Sequence, residues 1–216
     1  MIITRVVKKD DTNVIVYLDN NEKLYLSYEV FLRNGLRKDL EIPDGHFDLL
    51  IKENQRHFVK QKALAYISRR HHSVAEIRRK LFQKKYDKEI IDPVLQDLVE
   101  KALLNDTEFA EIFTEENIRL KLWGKNKIKS ELIKRGVAQE IIAKVLLEKF
   151  QPEVNYDNAI LLAEKKLRLL KNRGFDQNKL KQKLFAFLGS RGYDCETCKE
   201  VIGKIVNSSE EEWHTD

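Results

Sequence analysis

Little in this chain would interrupt a helix: its 216 residues include only three prolines and eight glycines. That scarcity removes the usual breakers of a 3.6-residue period and points to long helices rather than a loop-rich fold. Cysteine is nearly missing too, with two copies, whereas secreted scaffolds held by disulfides normally carry more. No apolar run approaches the roughly 20 residues needed to cross a bilayer, and Met1-Ile2-Ile3-Thr4-Arg5 does not open a signal peptide. A cytoplasmic protein without membrane contact is therefore expected.

Catalytic signatures are wanting as well. Five histidines are scattered (His46, His57, His71, His72, His214), and none lies four residues from another with a carboxylate between them, as a helical metal site requires. Neither a G-x-x-x-x-G-K-[ST] phosphate loop nor a G-x-G-x-x-G turn occurs, which argues against nucleotide hydrolysis by this chain. Cys195 and Cys198 have C-x-x-C spacing, but a zinc site needs a second ligand pair and a redox motif a strand-to-helix setting. The chain is expected to be no enzyme and to hold no metal or cofactor.

What it has is repetition. Ile77, Leu81, Tyr86, Ile90-Ile91 and Val94-Leu95 recur 51 residues on as Ile128, Leu132, Val137, Ile141-Ile142 and Val145-Leu146. A further shift of 56 gives Leu184, Leu188, Tyr193, Cys198, Val201 and Ile202. In that frame Cys198 stands where Ile91 and Ile142 stand, so a buried small hydrophobe is its simplest reading. One copy is too small to bury an apolar face alone, so neighbours must stack.

The first 57 residues follow another period. Ile2–Val7, Asn13–Leu18 and Lys23–Leu26 are β-branched and aromatic, and Asp10-Asp11 and Asp19-Asn20-Asn21 separate them as hairpin loops would. A helix over Tyr28–Arg33, stopped at Asn34-Gly35, and a polar turn at Pro43-Asp44-Gly45 follow. From Phe58 the helices come in threes. The first repeat predicts Phe58–Arg70, Val74–Lys84 and Lys88–Lys101, with a capping box at Ser73 and Glu76, a cap at Asp87, and Pro93 marking a kink or a later start of the third helix. The second predicts a cap at Asp106, then Thr107–Leu122, Lys125–Arg135 and Gln139–Phe150, with Gly124 and Gly136 as left-handed stops. The third predicts Asn158–Asn172, Gln177–Ser190 and Cys195–Val206, with Gly192 as its stop, ahead of a loose acidic tail.

The expected fold is mainly α: an elongated array of three tandem three-helix repeats (58–104, 105–150, 151–206) behind a small three-stranded antiparallel β module with a helix (1–57), ending in a tail (207–216). Its net charge of +5 is uneven. Residues 58–104 carry 11 Lys and Arg against 6 Asp and Glu, while 151–216 carry 11 of each. With Ile77 and Leu81 inward, Arg79 points outward and Arg78 and Lys80 flank it. Lys125, Lys127, Lys129 and Lys134 decorate the equivalent helix of the second repeat. Such ridges suit phosphates or carboxylates, or serve only as solvated surface. Lys84, Arg135 and Arg191 share a position at a helix C-terminus, where a cation complements the macrodipole. Phe82 and Ile133 face away from the core and imply a second buried surface, repeat against repeat or in a partner groove. Trp123, at a helix end, either stacks on a base or partner or packs into the adjoining repeat.

Three stretches resemble a known family: Leu64 through Arg69-Arg70; Ser73-x-x-Glu76-Ile77-Arg78-Arg79-Lys80-Leu81; and Leu103-Leu104-Asn105-Asp106-x-x-Phe109-Ala110. They look like the first half of RecX proteins, bacterial regulators of the RecA recombinase. Gly124-x-x-Lys127-Ile128-x-x-Glu131-Leu132-x-x-Arg135-Gly136-Val137 looks like the second half. His72 stands where a basic residue is common, and Asn105 where an aspartate is. The resemblance implies a non-enzymatic modulator in recombination, DNA repair and the SOS response. Such a protein would lodge in the groove of the RecA–DNA filament and inhibit strand exchange, ATP hydrolysis and coprotease activity. Non-specific contact with single- or double-stranded DNA through the basic repeats would accompany it, by a chain acting as a monomer. Candidate contacts are Arg69, Arg70, Arg78, Arg79, Lys80, Lys125, Lys127, Lys129 and Lys134. The alternative reading is a sequence-independent DNA-binding protein with helix-turn-helix-like repeats.

Overall fold

The computed structural model describes residues 1–171 and 175–211. Strands β1 (Ile3–Lys8), β2 (Asn13–Leu18) and β3 (Lys23–Ser27) form an antiparallel meander in the order β1-β2-β3. Alternation fixes its register: Val14 faces Leu26 and Val16 faces Leu24, and all four are buried. On the solvent side, Arg5 and Lys23 lie over the Tyr17 ring and Lys9 over Tyr25. Helix α1 (Tyr28–Arg33) starts where the Ser27 hydroxyl accepts the Val30 amide hydrogen at 3.1 Å.

Next comes α2 (Asp44–Ile67), a 24-residue helix. The sequence predicts a polar turn at its first residues and a separate helix from Phe58, and the structure corrects both. The amides of His46 and Phe47 bond to the Pro43 carbonyl, so the helix begins at the expected turn. The boundary expected at 57/58 falls inside one continuous helix. Phe47, Leu50 and Ile51 cover the sheet, while Val59, Ala63, Leu64 and Ile67 enter the core of the first repeat. Buried Asn54 ties the helix to strand β3, its side chain accepting from the Ser27 amide and donating to the Tyr25 carbonyl, both at 2.8 Å.

The remaining helices are α3 (Val74–Gln83), α4 (Lys88–Glu100), α5 (Asp106–Lys121), α6 (Lys125–Lys134), α7 (Gln139–Lys149), α8 (Pro152–Lys171), α9 (Gln177–Ser190) and α10 (Cys195–Glu211). With α2 they form three-helix repeats, and the matched residues are their cores: Ile77, Leu81, Ile128, Leu132, Leu184 and Leu188 are all fully buried. Cys198 is buried among them, and burial pushes its thiol up to about 11. The chain divides into two units, Met1–Leu104 and Asn105–Asp216, the first joining the β module to the first repeat.

Several ends differ from expectation. Asn105, not Asp106, caps α5, its side chain accepting from the Thr107 and Glu108 amides. Asp87 makes no side-chain cap to α4, although that helix starts at Lys88 as expected, with Pro93 inside it. Helix α8 starts at Pro152, six residues before Asn158, with proline at the first helical position where its missing N–H costs nothing. Helix α10 runs on to Glu211, into the expected tail. The predicted end at Asn172 and tail residues 212–216 lie outside the described residues.

One turn follows the second helix of every repeat. After α3, α6 and α9, the residue past the cap is left-handed: Lys85 (φ 64), Gly136 (φ 74) and Gly192 (φ 93). Its amide bonds the carbonyl of Phe82, Ile133 or Gly189, and the next amide, of Tyr86, Val137 or Tyr193, bonds that of Leu81, Leu132 or Leu188. This double closure is a Schellman motif. Gly124 plays a different part from the stop expected of it. Leu122 takes the left-handed conformation (φ 50), and Gly124 caps α6 from extended backbone. A side chain on Gly124 would collide with Gly192, its Cβ falling 2.5 Å from that carbonyl oxygen. The Gly124 amide bonds the Arg191 carbonyl and the Asn126 amide that of Gly192, while the Tyr193 hydroxyl donates to the Leu122 carbonyl at 2.8 Å.

Substitutions at one repeat position should therefore have opposite signs. Gly192→Ala places a Cβ 2.2 Å from the Lys127 amide nitrogen at a positive φ, and is expected to cost about 1–3 kcal/mol. Lys85→Gly relieves the same conformation at an exposed site and should gain about 0.5 kcal/mol. Thermal melts followed by circular dichroism check both; equal effects would contradict the turn assignment.

Candidate functional site

The basic ridge of the first repeat is more heavily paired than its sequence suggests. Arg70 donates to Glu76 at 3.1 Å and to the His71 carbonyl at 2.7 Å. Arg78 bonds Asp92 at 2.9 Å, and the Lys80 ammonium sits 4.8 Å from the Tyr66 ring centre. Arg69 and Arg79 are exposed, and their side chains have no ion pair or hydrogen bond among the described residues.

Glu76 organises the loop that leads into α3. Its amide donates to the Ser73 hydroxyl at 3.1 Å, as the capping box predicts. Its buried carboxylate receives Arg70 and, at 3.0 Å, the Nδ1–H of buried His72. Burial raises the Glu76 pKa, but the hydrogen bonds from Arg70 and His72 outweigh it and hold the carboxyl below its usual range. Burial lowers the pKa of His72 despite the opposing carboxylate, so the imidazole stays neutral and donates.

In the second repeat, Glu131 gathers the cations. Arg135 bonds it at 2.6 Å, with Lys134 at 3.1 Å and Lys127 at 3.6 Å. The Arg135 hydrogen bond, helped by Lys134, brings this carboxyl down to about 2. Lys127 and Lys134 are thus committed within their own helix, while Lys125 and Lys129 stay exposed and unpaired among the described residues. Arg135 also caps α6, as Lys84 caps α3 and Arg191 caps α9, which is the helix-end placement the sequence predicts.

Trp123 packs against the core of its own repeat, beside Phe113, with Lys121 and Lys127 over its ring. Its packing is within its own repeat rather than in the adjoining one. Of the two readings of Phe82 and Ile133, burial of repeat against repeat is excluded, since they are 66% and 46% exposed. Instead they line grooves between the second and third helices of their repeats. The third repeat has the same groove, rimmed by Lys181 and Lys199. A charge count passes over those lysines because acidic residues elsewhere in 151–216 cancel them.

The fold is that of a protein built from tandem three-helix domains whose outer faces carry basic, partly unpaired side chains. Residues 60–98, 105–146 and 153–202 match, in order, the first, second and third three-helix domains of RecX. The regulatory protein RecX of Clostridium perfringens (strain 13) is 34% identical over 203 residues, 94% of each chain, and that of Clostridium beijerinckii 31% identical over 199 residues, 92% of each. This chain belongs to the RecX family of regulatory proteins. Two solved structures share its fold. A crystal structure of regulatory protein RecX superposes with a TM-score of 0.72 at 22% identity, over 93% of this chain and 98% of that one. RecX from Lactobacillus salivarius gives 0.60 at 21% identity, over 70% and 97%. Among the described residues, no helix is long and apolar enough to cross a membrane.

The cluster at Glu76 makes stability depend on pH. His72 has a depressed pKa in the fold, so the unfolded chain binds more protons, and stability falls as pH drops below the ordinary histidine value of 6.5. Glu76, also depressed, adds a loss of the same sign below its ordinary 4.5. Melting temperatures should therefore decline from pH 7 toward 5, and His72→Asn should flatten that slope. A slope unchanged in the variant would place the titrating group elsewhere.

Proposed function

We propose that this protein binds the groove of the RecA–DNA filament and restrains strand exchange, ATP hydrolysis and the coprotease activity that the filament supports. Membership in a family of regulatory proteins carries this reading, through relatives that match nearly the whole chain. The physical arrangement supports it. Three domains of one design give a single chain several similar surfaces, and a filament offers the same subunit many times, so weak contacts multiply into useful avidity. The Lys and Arg side chains drawn into Glu76, Asp92 and Glu131 stabilise individual helices and loops. Of the candidate contacts, Arg69, Arg79, Lys125 and Lys129 are left outward and available to phosphate.

That second group also favours sequence-independent DNA binding as a reading in its own right. Four unpaired cations engaging phosphates would release counterions and make affinity fall steeply with salt. The outer helices carry no set of Asn, Gln or Arg side chains placed alike in all three repeats, so no base-specific code is expected.

Adding the protein at substoichiometric amounts to RecA filaments on single-stranded DNA is expected to suppress ATP turnover; unchanged turnover at equimolar protein would contradict the regulatory reading. Charge reversal at Arg79 and Lys129 should weaken binding to DNA and lower the slope of log affinity against log salt by about one for each phosphate that goes unneutralised. The same reversal at Lys134, already held by Glu131, should change DNA affinity little. Fluorescence anisotropy over a salt series measures both.

A further inference from the structure

We propose that the groove between the second and third helices of each repeat is a docking site for a protein helix that presents a large apolar side chain flanked by carboxylates. The proposal rests on the filament reading and names the surface by which the chain would grip a protein subunit rather than DNA.

The groove of the first repeat is lined by Ala75, Arg78, Arg79, Phe82, Lys88 and Ile91 and encloses about 250 Å³. The second uses Lys125, Lys129, Ile133, Ile142, Leu146 and Leu147, at about 370 Å³. In the third, Lys181, Phe185, Lys199 and Ile202 take part, at about 470 Å³. These are equivalent places in the repeat frame: Arg78, Lys129 and Phe185 share one position, Ile91 matches Ile142, and Leu146 matches Ile202. Where the third repeat has Gly189 in place of Phe82 and Ile133, Phe185 supplies an exposed ring one helical turn earlier. Each space exceeds the roughly 150 Å³ in which an apolar cavity holds a benzene ring.

Chemistry selects the occupant. Every groove has a floor of core residues, Ile91, Ile142 or Ile202, under exposed apolar walls, with Phe82 at 66% and Leu147 at 82% exposed. Phosphates gain nothing from such walls, whereas an apolar centre inside a polar rim is the anatomy of a protein interface. The rims are basic: Arg79, Lys88, Lys125, Lys129, Lys181 and Lys199 line the three grooves beside Arg78, which Asp92 holds, and no carboxylate is among their described lining residues. A partner helix with acidic residues one turn either side of a Leu, Ile or Phe satisfies both features. Three equivalent grooves in one chain suit a partner that supplies the same segment from successive identical subunits.

The test uses the full chain and recombinase filaments on single-stranded DNA, with DNA alone in parallel. Phe82→Ser, Leu147→Ser and Phe185→Ser shorten exposed apolar side chains without adding charge beside Arg79 and Lys129, and circular dichroism with thermal melts establishes that each variant folds. Each is expected to weaken filament binding about tenfold, and the triple variant more than any single one, while affinity for DNA alone changes less than about twofold. Filament binding by the triple variant equal to wild type overturns the docking site alone. Equal losses on DNA and filament overturn it too, because the grooves would then be a nucleic-acid surface. Absence of filament binding by the wild-type chain overturns the regulatory reading together with this one.

Discussion

The doubly closed turn after the second helix of each repeat sets the geometry on which the rest depends. Two backbone hydrogen bonds end α3, α6 and α9 and aim the chain into the third helix while the next residue, Tyr86, Val137 or Tyr193, drops toward the core. Helices two and three therefore leave the turn in a fixed relation, with a groove between them in each repeat. Lys85 shows that the geometry outranks residue preference. The first repeat accepts a left-handed lysine, at a cost of about 1–2 kcal/mol, rather than give up the second hydrogen bond. In the third repeat the turn acquires a further duty, because the Gly192 carbonyl receives the Asn126 amide and its missing side chain leaves room for Lys127.

Repeat cores were legible in the sequence because aliphatic residues recurring at fixed offsets can only be a shared buried face; Ile77 and Leu81, with their copies, lie at the centre of each. The β module was legible for the same reason at period two. Helix α2 was not. Its first half carries Phe47, Leu50, Ile51 and Asn54 at helical spacing, but Pro43-Asp44-Gly45 reads locally as a turn, and a boundary placed there hides the helix behind it. Proline belongs at or just before a helix start as readily as in a turn, so local chemistry could not decide. What decides is tertiary: one helix serves two cores, and Asn54 satisfies the Ser27 amide and Tyr25 carbonyl at the end of the sheet. The start of α8 at Pro152 escapes for a related reason, although proline at a first helical position was a usable signal.

The candidate surface was legible by position but not by availability. Arg70, Arg78, Lys127 and Lys134 look like their unpaired neighbours in sequence, because an acidic partner such as Asp92 lies 14 residues from Arg78 and meets it only through the pairing of α3 with α4. Glu131 is a partial exception. Its carboxylate stands four residues from Lys127 and Arg135 and three from Lys134, spacings that predict pairing on a helix. Counting charge by segment misleads in the opposite direction for the third repeat, where a zero balance conceals the lysines beside the α9–α10 groove.

These observations bear on how one surface can serve two kinds of partner. Cations drawn into internal pairs contribute little to long-range attraction, so the field of the chain is weaker than its count of 40 Lys and Arg suggests. Around the grooves the outward cations sit beside apolar walls: Arg79 next to Phe82, and Lys125 and Lys129 next to Ile133. A phosphate can meet those cations only as point charges in water, where salt screens them. A protein helix seated in the groove would displace water around them, and the same side chains would then interact at a lower effective dielectric. Charge beside exposed hydrocarbon would thus favour a folded partner over bare nucleic acid at the proposed grooves, even though the cations alone do not distinguish the two.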